Sequence, residues 1–141
     1  MVESVVLGCF PRGLYHPHAS RLSPEFIETV QARIIEQKAK CFEESAFDYL
    51  KELAKTEKEV EIFGIYENAC VAHATLTSLA LGLDVKVPLD FIQKTKPDAE
   101  DLTSKVKRIC SLSLEEFGDD QYQHFKLIEK ETSFRKQYLG F

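Results

Sequence analysis

The stretch from Glu61 to Leu89, EIFGIYENACVAHATLTSLALGLDVKVPL, constrains the fold more than any other part of the chain. It opens with an apolar, β-branched run, Val60 to Ile65, of the kind that forms a buried strand. A sharp loop follows, with Asn68 as a candidate N-cap. The next residues carry no breaker until Gly82, which is a natural stop just past a helix. Val85 to Leu89 reads as another strand, and Pro88 confines it to a strand end or edge because proline donates nothing to a ladder. Strand, helix and strand in this order predict a parallel crossover unit.

The flanking sequence continues the alternation. Ser4 to Cys9 predicts a strand closed by the turn residues Pro11-Arg12-Gly13. Leu14 to Leu22, with His16 and His18, reads as loop. Ser23 and Pro24 suit the N-cap and first position of a helix over Pro24 to Val30. Ala32 to Lys38 reads as a second strand, with a continuing helix as its competitor. Ala46, Phe47, Leu50, Leu53 and Ala54 form a helical stripe over Glu43 to Lys55. Lys55 to Glu59 is a charged connection. A helix is predicted over Asp98 to Arg108, a short strand over Ile109 to Leu114, and a helical turn over Glu115 to Gly118. A polar-faced helix anchored by Phe125, Ile128 and Phe134 is predicted over Tyr122 to Arg135. The expected architecture is α/β: one domain over residues 1–141, with a doubly wound parallel sheet covered by helices on both faces.

Composition narrows the function classes. With 44% hydrophobic and 29% charged residues, the chain is of ordinary globular make-up. Its net charge of −5 and lack of a basic block argue against phosphate-driven nucleic-acid binding. No run approaches the ~18 apolar residues of a spanning helix, so no membrane partner is expected. The N-terminus lacks a basic region and a long apolar run, and reads as strand rather than signal peptide. Cytoplasm is the default compartment, an organelle such as the mitochondrion the alternative. The four cysteines, Cys9, Cys41, Cys70 and Cys110, form no C-x-x-C pair. A disulfide scaffold or structural zinc is therefore not expected, and reduced, mostly buried thiols are.

Cys70 is the exception in its placement. It falls at the first turn of the predicted helix, at the sheet edge where open α/β sheets bind ligands. Free N–H groups and the helix dipole there favour a thiolate and an oxyanion. The alternative is a small residue packing the helix start, the more usual state of cysteine.

Several pieces together resemble one family. Gly64-Ile65-Tyr66-Glu67-Asn68-Ala69-Cys70-Val71 resembles the cysteine elbow of the isochorismatase-like cysteine hydrolases. Ala74-Thr75-Leu76 and Leu81-Gly82-Leu83-Asp84-Val85 resemble the family's following helix and its exit. Asp90 matches an aspartate at the end of the next strand. Lys38-Ala39-Lys40-Cys41-Phe42, Pro11-Arg12-Gly13-Leu14 and Gln123-His124-Phe125-Lys126-Leu127-Ile128 resemble the lysine motif, a loop and the terminal helix of its isochorismatase-domain-containing branch.

The resemblance implies a cysteine-dependent attack on a small amide, ester or vinyl ether. Cys70 is then the nucleophile and Lys38 its lysine, with Lys40 as competitor. The N–H groups of Ala69 and Cys70 form the oxyanion site, and Tyr66, Glu67 and Asp90 lie at the substrate edge. No cofactor is implied, and the Asp/His metal cluster of the nicotinamidase branch has no match. His16 and His18 read as solvated loop residues, and His73 as a core or partner contact.

No segment matches the family's first strand and its aspartate, a difference of roughly forty residues. That strand is central in a doubly wound sheet, so two sheet fragments with unpaired inner edges are expected. Each unpaired buried backbone group costs on the order of 1–3 kcal/mol. Either the fragments pair directly, another chain supplies the strand, or the topology is rebuilt. Loss of the aspartate also removes the obvious base, for which Asp90 or Glu67 are substitutes. The expected function is thus a divergent hydrolase of weakened or no activity. The alternatives are a non-catalytic pseudoenzyme subunit, homo-oligomeric or within a larger assembly, and a fragment of an ordinary hydrolase.

Overall fold

The computed structural model describes residues 5–10, 33–38, 44–111, 114–118, 121–127 and 132–139. Outside these residues lie the loop with His16 and His18, the helix expected at Pro24–Val30, and Lys40, Cys41 and Ile128. The chain falls into two units, Met1–Tyr49 and Leu50–Phe141.

The first unit holds two strands, β1 (Val5–Phe10) and β2 (Arg33–Lys38). They pair in parallel from Val5 opposite Arg33 to Phe10 opposite Lys38, as a sheet of their own. The strand reading of 32–38 therefore holds over that of a continuing helix. Helix α1 (Glu44–Thr56) follows, close to the predicted span, with Leu50 buried.

The second unit is mixed α/β. The run expected as one strand, Val60–Ile65, is instead two: β3 (Glu59–Glu61) and β4 (Gly64–Ile65). The break covers Ile62 and Phe63, and β4 opens at Gly64, whose φ of +143° belongs to glycine alone. A Cβ there would meet only Val71 Cγ2 at 3.9 Å, so the backbone angle, not space, demands glycine. A wide π-helical turn, Glu67–Val71, leads from β4 into helix α2 (Ala72–Ala80). Every residue of α2 except His73 is buried. Its end is closed by a Schellman pair: Leu83 N–H donates to Ser78 O and Gly82 N–H to Leu79 O, both at 3.0 Å, around Gly82 at φ +87°.

Strand β5 (Asp84–Pro88) then enters the sheet, with Pro88 at its end as expected. Beyond the 3-10 turn Leu89–Phe91, β6 (Ile92–Gln93) pairs in parallel with β4. Helix α3 (Leu102–Cys110) begins at Asp101, which accepts from Ser104 N–H at 2.8 Å. The predicted strand at 109–114 is displaced, because Ile109 and Cys110 complete the last turn of α3. Strands β7 (Leu114–Gly118) and β8 (Tyr122–Leu127) follow, then helix α4 (Thr132–Leu139).

The four-stranded sheet has the order β3-β5-β8-β7. β3 and β5 are parallel, but β8 runs antiparallel to both β5 and β7. A purely parallel doubly wound sheet is therefore not what this unit displays. The difference arises at 115–127, where a helical turn and a long helix were expected. Phe125 and Leu127 alternate with exposed Lys126, which is strand periodicity, and Phe125 is fully buried. The core gathers Val71, Leu76 and Leu79 from the turn and α2, Val85 and Val87 from β5, Leu102, Val106 and Cys110 from α3, Phe125 from β8 and Phe134 from α4.

Backbone angle and not volume should therefore decide glycine tolerance. Gly64→Ala and Gly82→Ala are each expected to lower unfolding free energy by about 1–2 kcal/mol. Gly118→Ala, where an added Cβ meets nothing within 4 Å and φ is not positive, should stay within about 0.5 kcal/mol. Urea unfolding of the three variants checks this.

Candidate functional site

The π turn is held from three directions. The Tyr66 carbonyl accepts from both Ala69 N–H and Val71 N–H at 3.1 Å, which widens the turn beyond a normal α-helical start. Asn68 is not the N-cap expected of it. That position is Tyr66, without a side-chain cap. The Asn68 amide instead reaches across to Thr95: its Nδ2 donates to Thr95 Oγ1 at 3.2 Å, and Thr95 N–H donates to its Oδ1 at 3.3 Å. Glu67 Oε1 accepts from Leu102 N–H at 2.9 Å. It thereby satisfies one of the orphan donors at the start of α3, where a carboxylate also suits the helix dipole. Lys105 Nζ, one turn further along α3, donates to the Asn68 carbonyl at 2.5 Å.

Cys70 and Cys110 are both thiols, but in different settings. Cys70 is half-buried in the turn. Cys110 is sealed in the core, where burial pushes its thiol up to about 12. His73, three residues past Cys70, is the place where α2 reaches solvent. Its imidazole lies below the ordinary value of 6.5, first because burial disfavours the charged form and second because the Lys105 ammonium opposes a second positive charge. The Lys105 ammonium thus reaches both the turn, at the Asn68 carbonyl, and the field of His73, which follows Cys70 by three residues.

The expected site residues divide accordingly. Tyr66, Glu67, Ala69 and Cys70 all lie in or at the turn. Tyr66 is exposed, and Glu67 is engaged as the α3 cap. Of the two N–H groups expected to form the oxyanion site, that of Ala69 donates to Tyr66 O. Asp90 is exposed on the 3-10 turn after β5. Lys38 closes β2 in the first unit, opposite Phe10. The amine found at the turn is that of Lys105, which sequence reading passed over. Its position three residues past Leu102 would have drawn attention only once Glu67 was known to cap that helix.

Among the described residues no group of three or more His, Cys, Asp or Glu side chains is arranged to hold a metal. Among them, too, no helix is long and apolar enough to cross a membrane. Comparison with known proteins gives no matching family model, no matching characterised protein and no matching solved structure.

The depressed His73 titration has a sign. The unfolded chain takes up a proton near 6.5, and the fold resists it until a lower pH. The contribution of His73 is therefore whole above 6.5 and is lost as pH falls through the folded value. Denaturant midpoints measured from pH 7.5 downward should show this loss, and His73→Gln should remove that part of the slope.

Proposed function

We propose that the chain is a divergent isochorismatase-like domain whose cysteine turn attacks small amide or ester carbonyls. The observation that carries the reading is the position of Cys70. It lies half-buried in a widened turn between a short parallel strand and a buried helix, with a part-buried ammonium on the adjoining carbonyl. Further support comes from the parallel pairings β1–β2 and β3–β5, which a doubly wound ancestry requires.

In this reading Cys70 Sγ adds to the substrate carbonyl carbon. The leaving amine or alcohol departs with a proton, and water hydrolyses the resulting thioester to regenerate the thiol. Lys105 stabilises negative charge beside the turn, a role the family likeness gives to Lys38. No cofactor takes part.

A second reading is favoured by a different observation. Among the described residues β3 pairs with β5 alone, and Phe63, Tyr66 and Phe91 are exposed. Phe63 and Phe91 meet edge to face with centroids 6.3 Å apart. A strand with one partner among the described residues, together with exposed aromatics, suits a subunit that pairs with another chain. That reading requires a dimer or larger species, and sedimentation equilibrium giving a monomer at micromolar concentration contradicts it.

The hydrolase reading requires selective reactivity. Iodoacetamide, followed by peptide mass spectrometry, should alkylate Cys70 at least about tenfold faster than Cys9, Cys41 or Cys110 at pH 7. Cys70→Ser should abolish any turnover of small esters. Labelling of Cys70 at or below the rate of the other three removes the reading.

A further inference from the structure

We propose that His73 is the proton acceptor for Cys70, with Lys105 as a positioning residue for the pair; the proposal rests on the cysteine reading above and names the base that reading needs.

The geometry comes from the exposure pattern. Val71 and Ala72 have right-handed helical angles, φ −62° with ψ −43° and −42°. The backbone from Cys70 to His73 is therefore continuous helix, and residues three apart lie on one face with Cβ atoms about 5–6 Å apart. The accessible stripe runs over every residue from Tyr66 to Cys70 and returns at His73, while Val71, Ala72 and Ala74 are buried. The stripe closes at Leu76 and Thr77, both buried. Cys70 and His73 are thus half-buried positions three residues apart, at the start of a helix otherwise buried.

The carboxylates near the turn are placed for other work. Glu67 holds the N-terminus of α3, and Asp90 is exposed on the turn after β5. Lys105 fixes the Asn68 carbonyl two residues before the thiol. Burial first, and the Lys105 charge second, hold the imidazole below its ordinary value and so favour the neutral ring, the form that accepts a proton.

As Sγ bonds to the substrate carbonyl carbon, the S–H proton passes to the His73 ring and the C=O π pair moves to oxygen. On collapse the imidazolium gives that proton to the leaving nitrogen or oxygen, and the carbon–heteroatom bond breaks to leave a thioester. Water adds with its proton taken by His73. That proton returns to sulfur as the C–S bond breaks.

The test uses the full chain. In the unmodified protein the rate of Cys70 carbamidomethylation by iodoacetamide should show a shoulder below pH 6.5, set by His73. His73→Gln should lose the shoulder, leave a single rise near the ordinary thiol value of about 8.5, and react about tenfold more slowly at pH 7. Lys105→Met should move the shoulder upward. Independently of any variant's folding, NMR titration of the His73 imidazole should shift once Cys70 is carbamidomethylated. An unchanged profile in folded His73→Gln, or a His73 titration indifferent to alkylation, overturns the proposal. Coupled titration without turnover of small esters sinks the hydrolase reading and leaves the pair standing. Turnover through Cys70 that is unchanged in His73→Gln does the reverse.

Discussion

Burial of helix α2 on nearly every side governs the rest of the second unit. A helix hydrophobic all round must be enclosed, and α2 is packed by α3, α4, β5 and β8. Its apolar residues and its small ones, Ala72, Ala74 and Ala80, let those neighbours approach. Even Thr75 and Ser78 are fully buried. Such a helix can meet solvent only where its enclosure ends. Here that is the first turn, so the chemistry-bearing residues of the segment, Cys70 and His73, are gathered there by packing rather than by any local preference of their own.

The opening is kept in shape by contacts far apart in sequence. Glu67 to Leu102, Lys105 to Asn68 and Asn68 to Thr95 tie the cysteine turn to the start of α3 and to the end of β6. Two of these contacts involve charged groups, which form the stronger hydrogen bonds. The Glu67 bond also completes a helix N-terminus that would otherwise leave a donor unsatisfied. Removing either partner therefore disturbs two elements at once. The same contacts bring an ammonium beside an imidazole, so the latch and the electrostatics of the site are one arrangement.

Much of this was legible in sequence, for identifiable reasons. β1, β2, α1 and β5 follow from β-branched runs or an apolar helical stripe. Gly82 and Pro88 sit where their backbone limits require. Beyond α3, Phe125, Ile128 and Phe134 read in sequence as one helical face, whereas Phe125 lies in β8 and Phe134 in α4. The tighter signal was the alternation around Phe125 and the Gly118-Asp119-Asp120 cluster, which bounds two short runs as turn residues do. The split before Gly64 was hidden inside a continuous apolar run, since only a positive φ distinguishes it. Of the site, Cys70 and its turn were visible. Lys105 was not, because a lysine on a helix reads as solvated until the carbonyl it reaches is known. His73 read as a core or partner contact, and its meaning depends on the burial of every residue around it.

The claim at the centre is that the open end of α2 carries covalent chemistry at Cys70. Brief exposure of the full chain to a small activated ester such as p-nitrophenyl acetate, acid quench and intact-mass analysis tests it most directly. The account predicts a transient acyl adduct that peptide mapping assigns to Cys70 and that decays as water releases it. An adduct confined to other residues, or none at all, contradicts it.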